Sequence, residues 1–414
     1  MLQLTYKSML VDISCLGDTT GACPMNKLHL LSTALFGLST LITLPAVAAE
    51  GYGKPFEDGG YSKDDWQLVC DNTLTCRAAG YSSEDNLDRP ASILITAIPK
   101  QSIPKVEVQF ASEEDDNGNN EIELWLNDKF YGQLSAGSDG ADGGVYQLNQ
   151  KQAQALLRRA RQNTKIDIVA VSNVGSKRWQ VSDKGMSAVL LKLDEAQGRV
   201  GNALALVSHS HLNKQVPKSA VAKPIIHKAF AYADAKQTTL SPSARNYFNA
   251  NIEKWVRVDS KPLMGSSDDM GACELANPKS EQSQSFREYA TEGLDWSFER
   301  VDATHTLASH LCWRGAYNMG YGYWLIDNAK PSSPQLITTS GSEYSEGEIW
   351  AIHKARGIGD CWGQKQWVWN GQSFVLATEA TTGMCRGFAG GAWQLPTHVA
   401  KIIEHNSTQA SIAN

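Results

Sequence analysis

The first half of the chain alternates apolar and polar residues in short segments. Residues 106–110 (Val-Glu-Val-Gln-Phe) and 122–126 (Ile-Glu-Leu-Trp-Leu) place every second side chain on one face, and residues 166–171 form another apolar run. Period-two alternation is typical of β-strands that turn one face toward a core. The first half is therefore predicted to contain a mainly antiparallel sheet.

Two segments of this half have helical spacing instead. The first is predicted to begin at an N-cap at Asn149, and the second to begin at an N-cap at Ser182 and to end at Gly198. The apolar faces are formed by Ala153, Leu156, Leu157 and Ala160 in the first helix and by Met186, Val189, Leu190 and Leu193 in the second. Spacings of three and four residues are typical of helices that bury one face.

The second half is rich in tryptophan, with nine of the twelve beyond residue 250. From about residue 284 onward, short aromatic runs alternate with turns rich in Gly, Ser and Asn, which predicts an antiparallel meander. The clearest hairpin joins residues 365–369 to 372–376 through Asn370-Gly371. A two-residue turn of this type would place Trp367 opposite Phe374, and Trp369 opposite Gln372.

Residues 208–218 have no apolar period and are predicted to be a linker. The expected fold class is α+β, with two antiparallel, β-rich domains, a few helices and disulfides. The expected boundaries are an α+β domain at 49–207, a linker at 208–224 and a Trp-rich, mainly antiparallel β domain at 225–406.

The amino-terminal region has the pattern of an export signal. Met25-Asn26-Lys27 is followed by an apolar run at 28–44 and by small residues at 46–49, so residues 25–48 are predicted to be a signal peptide cleaved near residue 48. Residues 1–24 are expected to be an extension from a start codon upstream of the true one. We expect a periplasmic or secreted protein, and the alternative is that the apolar run stays as an uncleaved anchor.

Six cysteines follow the predicted cleavage point, an even number that favours disulfides in an oxidising compartment. They are Cys70, Cys76, Cys273, Cys312, Cys361 and Cys385. Cys70 and Cys76 are close enough to pair across a short turn, whereas the other pairings stay open among the 15 connectivities that six cysteines allow. A Cys361–Cys385 bridge would require residues 381–384 to fold back. A zinc site is disfavoured because the chain has no Cys-x-x-Cys spacing and no histidine beside Cys70 or Cys76.

Composition and motifs disfavour several function classes. The net charge of −6 provides no basic surface for nucleic acid, and no second long apolar stretch follows the predicted signal. The common hydrolase and nucleotide-binding motifs are absent, so no cofactor is expected. Two candidate metal sites are weak: the acidic run at 113–118 has Leu124 where a calcium loop needs a carboxylate, and His209 and His211 lie in the predicted linker without a further ligand.

Arginines next to glycine accompany the last three cysteines and have tryptophan neighbours. The residues are Arg314 with Trp313, Arg356 with Trp362, and Arg386. If disulfides gather these segments, the guanidinium groups and indole rings would form a surface for an anionic or sugar-like ligand, such as an envelope polymer, or for an acidic protein partner. The structural alternative is that these arginines stack on core tryptophans and cap loop carbonyl groups.

Three stretches carry a resemblance to a known family. Residues 66–77, the Gly359-Asp360-Cys361 segment with its Trp-Val-Trp-Asn-Gly hairpin, and Cys385-Arg386-Gly387 followed by Trp393 resemble the exported bacterial family called domain of unknown function 1176. The resemblance implies export and a six-cysteine framework but no activity. The start at Trp66-x-x-x-Cys70 and residues 193–199 also look like the invasion-associated locus B proteins.

These observations favour a non-enzymatic binding or structural module of the cell envelope. The alternative is a periplasmic hydrolase that acts through carboxylates or histidines scattered in the sequence, among them Asp360, His310 and His353. Missing motifs do not exclude such an enzyme, because catalytic groups converge in space rather than in sequence.

Overall fold

The computed structural model describes residues 60–111, 121–137, 144–173, 175–207, 216–233, 240–255, 273–290 and 295–404. Several predictions concern residues outside these ranges: the extension at 1–24, the signal peptide at 25–48, the acidic run at 113–118, and His209 and His211. All described residues fall within a single compact unit. In the part of the chain that is described, no helix is long and apolar enough to cross a membrane.

The first half contains eleven described strands and two helices. The strands are β1 (Tyr61–Lys63), β2 (Trp66–Cys70), β3 (Cys76–Tyr81), β4 (Ala91–Ala97), β5 (Lys105–Phe110), β6 (Glu121–Leu126), β7 (Lys129–Gln133), β8 (Ser135–Ala136), β9 (Tyr146–Gln147), β10 (Ile166–Ser172) and β11 (Gly175–Val181). The helices are α1 (Gln150–Leu157) and α2 (Met186–Ala196), and a short 3-10 helix spans Glu84–Asn86.

The second half contains a further eleven described strands and three helices. The strands are β12 (Ile225–His227), β13 (Ser297–Arg300), β14 (His305–Arg314), β15 (Met319–Asp327), β16 (Gln335–Gly341), β17 (Glu343–Ser345), β18 (Glu348–Lys354), β19 (Trp362–Trp369), β20 (Phe374–Thr381), β21 (Leu395–Val399) and β22 (Lys401–Ile403). The helices are α3 (Pro242–Ala250), α4 (Ile252–Trp255) and α5 (Glu281–Tyr289), and a 3-10 turn spans Glu274–Ala276.

The four larger sheets are antiparallel, as the alternating pattern predicts. In the first half, a seven-stranded sheet has the order β1-β2-β3-β4-β5-β9-β8 and a four-stranded sheet the order β11-β10-β6-β7. Buried side chains from both sheets and from α1 and α2 form one hydrophobic core. The second half has the sheets β13-β14-β15-β16 and β17-β18-β19-β20-β21, and the pair β12-β22 is parallel.

The two predicted helices of the first half exist, but only one has the predicted cap. Asn149 caps α1, since its side chain accepts a hydrogen bond from the Gln152 amide at 3.0 Å. The predicted cap at Ser182 is wrong, because the N-cap of α2 is Gly185, which has a φ of +93°. A Cβ at Gly185 would lie 1.9 Å from the Lys63 carbonyl oxygen, so the close approach of β1 requires glycine here.

The predicted start of the aromatic meander near residue 284 is also wrong. Residues 281–289 form α5, whose N-cap Ser280 accepts a hydrogen bond from the Ser283 amide at 3.0 Å. The strands begin at Ser297. A serine N-cap satisfies an otherwise unpaired amide of the first helical turn. Ser280 therefore favours a helix in this segment, where the turn-like composition had predicted strands and turns.

The Asn370-Gly371 hairpin forms in a register different from the predicted one. Trp369 faces Phe374, and their rings are 5.4 Å apart, whereas Trp367 faces Leu376. The loop has four residues because the Asn370 side chain accepts hydrogen bonds from the amides of Gln372 and Ser373, both at 2.9 Å. Asparagine can close a turn with its own side chain, so the dipeptide does not by itself set the loop length.

Residues of both halves share a buried core. Val69, Ala79 and Leu94 from the first sheet pack with Phe388 and Trp393, which lie between β20 and β21. Each described sheet, in contrast, takes all its strands either from before residue 207 or from residue 225 onward. The shared core favours one domain and the separate sheets favour two, so the predicted two-domain division stays a prediction.

Hydrogen bonds accompany this shared core. The Trp393 indole N–H donates to the Ser92 hydroxyl at 2.7 Å, and the Gln109 side chain donates to the Ala392 carbonyl oxygen. The Asn72 side chain bonds both backbone groups of Val399, at 3.0 and 2.8 Å. The side-chain groups of Trp393, Gln109 and Asn72 thereby find hydrogen-bond partners in the other half.

We expect both halves to unfold in one transition. Trp393→Ala should destabilise the protein by about 3 to 5 kcal/mol, because it empties a buried aromatic position and removes the bond to Ser92. Denaturation followed by circular dichroism and by tryptophan fluorescence would measure this. Trp350→Ala, at a half-buried position within the second half, is the control with a smaller loss. Two separate transitions, with only the later half affected by Trp393→Ala, would contradict the expectation.

Candidate functional site

Three disulfides join the six cysteines of the described chain. They are Cys70–Cys76, Cys273–Cys312 and Cys361–Cys385. The first is the predicted local pair, and the third forms as the folding back of residues 381–384 allows. The carboxylate of Asp360 and the sulfurs of Cys361 and Cys385 lie within 4.8 Å of one another. Because both sulfurs are in a disulfide, this group provides no thiolate for a metal ion.

The Cys361–Cys385 bridge brings two of the predicted arginine segments together. Beside it, the Thr382 amide donates to the Trp362 carbonyl oxygen, and the Trp362 amide donates to the Thr382 hydroxyl, both at 2.8 Å. Gly383 has a φ of +94°, a conformation that glycine adopts without steric cost. The chain after β20 therefore turns back toward the start of β19.

The third arginine segment, which contains Arg314, is held beside the loop at 355–361 by hydrogen bonds. A disulfide does not hold it there, since Cys312 pairs with Cys273. The turn between β14 and β15 contains Tyr317 and Asn318. Asn318 bonds both backbone groups of Lys354, at 2.8 and 3.0 Å, and the Tyr317 hydroxyl donates to the Ala355 carbonyl oxygen at 3.2 Å. The turn of the β14–β15 hairpin, which follows Arg314, thus packs against the end of β18 and the loop at 355–361.

Arg356 is bound to Asp360 within this loop. Its Nε donates to Oδ1 of Asp360 at 2.7 Å and its Nη2 donates to Oδ2, while the same Nη2 lies 3.1 Å from the Cys385 carbonyl oxygen. Asp360 also accepts the Gly387 amide at 2.8 Å. Burial works to raise the pKa of Asp360, but the bonds from Arg356 and Gly387 outweigh it and hold the pKa below its usual value.

Arg386 is buried and faces the first half of the chain. Its Nη2 lies 3.1 Å from a carboxylate oxygen of Asp65 and 3.6 Å from one of Glu84. The side chains of Arg386 and Asp65 are only 6% and 11% exposed, whereas that of Glu84 is 80% exposed. The guanidinium group of Arg386 is therefore part of the contact between the two halves.

The two predicted tryptophans differ in their surroundings. Trp313 is buried, its indole N–H donates to the Ser340 hydroxyl at 3.3 Å, and its ring lies 5.1 Å from that of His353. Trp362 is half-buried and donates to the Gly359 carbonyl oxygen at 2.8 Å. The Lys354 ammonium lies 5.4 Å from the Trp362 ring centroid, a cation–π distance.

Arg314 ends β14 and is exposed. Among the described residues no salt bridge involves it. The structure therefore brings the predicted arginine segments together but leaves Arg314 as the arginine with a free guanidinium group, since Arg356 and Arg386 have carboxylate partners.

Three exposed apolar side chains on the same hairpin and loop were not among the predicted site residues. Tyr317 and Met319 are 47% and 45% exposed on the hairpin, and Ile358 is 74% exposed in the loop that the hairpin contacts. We call this surface the hairpin-loop face, and it consists of Arg314, Tyr317, Met319, Lys354, Arg356, Ile358 and Trp362. A signal in the sequence is Gly357-Ile358-Gly359, because an isoleucine between two glycines is typical of a loop.

The residues of the alternative hydrolase prediction have separate hydrogen-bond partners. Asp360 is bound by Arg356, His353 Nε2 lies 3.2 Å from the Met319 carbonyl oxygen, and His310 Nδ1 lies 2.6 Å from the Leu311 carbonyl oxygen. Burial lowers the pKa of His353, which favours the neutral imidazole at pH 7. These contacts orient the three groups toward the protein's own atoms.

A cavity of about 200 Å³ lies beside the Cys361–Cys385 disulfide, between residues of the two halves. Gln67 and Ser62 line it from the first half and Trp362 and Met384 from the second. The Gln67 Oε1 atom is buried there without a hydrogen-bond partner. The cavity is smaller than the roughly 300 to 1,000 Å³ that is typical of ligand pockets.

The fold and the site define a disulfide-bonded, antiparallel β-sheet protein with a basic and apolar surface patch. The chain belongs to the family described as Protein of unknown function (DUF1176), whose profile matches residues 61–400. No curated protein and no solved structure is significantly similar to the chain. The likeness of the first half to the invasion-associated locus B proteins stays a prediction.

Arg386→Met should lower the stability of the protein far more than Arg314→Met. Removing Arg386 leaves the buried Asp65 carboxylate without its nearest cation and should cost about 3 kcal/mol, whereas Arg314 is exposed and its replacement should cost less than about 0.5 kcal/mol. Urea denaturation of both variants beside the parent would measure the difference. Equal, small losses would show that the Arg386–Asp65 contact is not structural.

Arg356→Met should destabilise the protein in a pH-dependent way. A depressed pKa of Asp360 stabilises the folded state above the unfolded pKa of about 3.9, and this stabilisation is lost as the pH falls through the lower folded value. The loss on mutation should be about 1 kcal/mol at pH 7, because Arg356 is partly exposed, and it should shrink below pH 4. Denaturation at pH 3 to 7 tests this, with Arg158→Met as the control. A loss that is independent of pH would contradict it.

Proposed function

We propose that the protein is an exported, non-enzymatic binding module of the cell envelope, and that its hairpin-loop face binds an acidic protein partner. The observation that carries the proposal is the free, exposed Arg314 beside three exposed apolar side chains on elements that are fixed by hydrogen bonds and a disulfide.

The charge of this face differs from that of the whole chain. Arg314, Lys354 and Arg356 lie on the hairpin-loop face, although the chain has a net charge of −6. Basic side chains on one patch attract an acidic partner and raise its rate of association. Asp360 neutralises part of this charge, so Arg314 and Lys354 supply most of the attraction.

The apolar side chains favour a protein rather than a polysaccharide as the partner. Ile358 is 74% exposed, and Tyr317 and Met319 are about half exposed. Exposed apolar patches rimmed by polar groups mark protein interaction sites, and Tyr, Met and Arg are enriched in such interfaces. Of the two ligand classes that the sequence analysis left open, the acidic protein therefore fits this face better.

The face is held in place before any partner binds. Asn318 fixes the hairpin to Lys354, and the Arg356–Asp360 pair and the Cys361–Cys385 disulfide fix the loop. A surface that is already ordered loses less conformational entropy on binding. The structural contacts of Arg356 and Asp360 therefore support binding by Arg314, Tyr317 and Ile358.

The disulfides and the amino-terminal sequence support the export part of the proposal. Three disulfides are stable in an oxidising compartment such as the periplasm and are compatible with an exported protein. The signal-like residues 25–48 would direct the chain there.

Capture of a partner should depend on Arg314 and Ile358. Crosslinking of the folded protein in an envelope fraction, followed by isolation and identification of its adducts, should yield an acidic protein with the parent. Arg314→Glu should reduce its recovery at least tenfold through charge repulsion, and Ile358→Asp should reduce it through the loss of apolar contact. Added salt should weaken capture by the parent.

The matched control is Arg158→Glu, which makes the same charge change at an exposed arginine after α1. It should capture the partner as the parent does. All variants must first show the melting temperature of the parent within a few degrees. Equal recovery with Arg314→Glu and with Arg158→Glu would overturn the proposal, as would the absence of any specific adduct of the parent.

A further inference from the structure

A second candidate site lies in a cleft of about 470 Å³ between α3, α5 and the start of β13. None of its lining residues belongs to the hairpin-loop face. Its volume lies within the range of roughly 300 to 1,000 Å³ that small-molecule sites occupy. The inference drawn from it does not depend on the proposed function.

Helix α3 presents polar side chains to this cleft because its other face is buried. Ala244 and Phe248 lie in the core of the second half, and Phe248 is fully buried. Arg245 and Asn249 are one helical turn apart, and both line the cleft together with Asn246. The register that buries Phe248 therefore sets the direction of the two amides and of the guanidinium group.

The opposite side of the cleft is held by a disulfide. Cys273 precedes the 3-10 turn at Glu274–Ala276, and its bond to Cys312 joins this turn to β14. Helix α5 follows, with Ser283 bonded to the Leu275 carbonyl oxygen at 3.1 Å. Arg287 of α5 lines the cleft and is exposed. The disulfide and the Ser283 hydrogen bond thereby anchor the turn that precedes α5 and the helix that carries Arg287.

Among the described residues, no salt bridge involves the two arginines of the cleft, Arg245 and Arg287. The Nε atom of Arg287 donates a long hydrogen bond to the Ser283 hydroxyl at 3.4 Å. The Nε atom of Arg245 is buried and has no hydrogen-bond partner. A buried guanidinium N–H without a partner is costly, and a ligand that accepts its hydrogen bond removes this cost. Arg356 and Arg386 differ from these two arginines, since each of them has a carboxylate partner.

An aromatic ring forms part of the cleft wall. Trp296 is half-buried, and its ring packs against Phe248 at 4.8 Å and Trp324 at 5.1 Å. These core contacts hold the indole in place while part of it lines the cleft. A fixed, flat ring suits a ligand that has an apolar face, as a pyranose has on the side of its axial C–H groups.

We propose that this cleft binds an acidic saccharide. The carboxylate of a uronic acid unit would be bound by Arg245 and Arg287, because guanidinium groups pair with carboxylates through two hydrogen bonds. Asn246 and Asn249 would bond the sugar hydroxyls, since an amide both donates and accepts. Trp296 would pack against the ring. Asp295, which also lines the cleft, would accept from a hydroxyl and disfavour small, highly charged anions.

The test uses tetragalacturonate, an acidic tetrasaccharide, and maltotetraose, a neutral one, as probes. Saturation-transfer NMR with the full folded protein at millimolar probe concentration should show transfer to tetragalacturonate and little to maltotetraose. Arg287→Met and Arg245→Met should each weaken the apparent affinity for tetragalacturonate at least tenfold. Arg287 is exposed, so its replacement tests the site even if Arg245→Met proves unstable. Arg158→Met, an equal change at an exposed arginine outside the cleft, should bind as the parent does.

Each alternative result has a definite meaning. Equal transfer to both probes would overturn the role of the acid group, and binding of tetragalacturonate that is unchanged in Arg287→Met would place the ligand elsewhere. Displacement of tetragalacturonate by an equal concentration of sulfate would show a simple anion site and overturn the saccharide assignment. No transfer from the folded parent to either probe would overturn the proposal as a whole.

Discussion

The structure depends on the burial of four apolar side chains of residues 388–395, namely Phe388, Ala392, Trp393 and Leu395, against the first sheet. Phe388, Trp393 and Leu395 close a core whose other side is formed by Val69 and Leu94. The apolar area that Trp393 removes from water is large, and its indole N–H is satisfied by Ser92 within that core. The segment that carries these residues follows Cys385 directly. The third disulfide, the loop at 355–361 and the position of Arg386 therefore all depend on this packing.

Charge has two different roles in the late loops. Arg386 and Asp65 are buried together, and Arg356 and Asp360 hold the loop closed, so these guanidinium groups stabilise the structure. Arg314 has no such partner, and neither do Arg245 and Arg287 among the described residues. Residue type alone does not separate the two groups. The structural arginines are the ones that have a carboxylate partner. For Arg386 this partner is Asp65, which is distant in the sequence.

Much of the fold could be predicted from local patterns. The strands at 106–110, 122–126 and 166–171 and the cap at Asn149 rest on alternation and capping within a few residues, and they are confirmed. Two predictions were wrong because a further contact determines the local structure. The close approach of Lys63 requires glycine at position 185, which moves the cap away from Ser182, and the Asn370 side chain lengthens the turn and so changes the hairpin register. Asp360, the partner of Arg356, lies four residues away in the same loop, whereas the Arg386–Asp65 pair and the cleft at α3 arise from tertiary packing. No spacing in the sequence encodes them.

The position of the closing segment also bears on how the chain reaches its folded state. Ribosomes make a chain from its amino end, and β2, β3 and β4 are complete long before residues 388–395 exist. Until those residues arrive, Val69, Ala79 and Leu94 face solvent as an unfinished apolar surface. A chain ending before residue 388 would keep that surface exposed in its folded half. Residues 388–395, which lie within the last 27 of the 414 residues, thus decide whether the apolar face of the earlier strands is covered or stays accessible to chaperones and proteases.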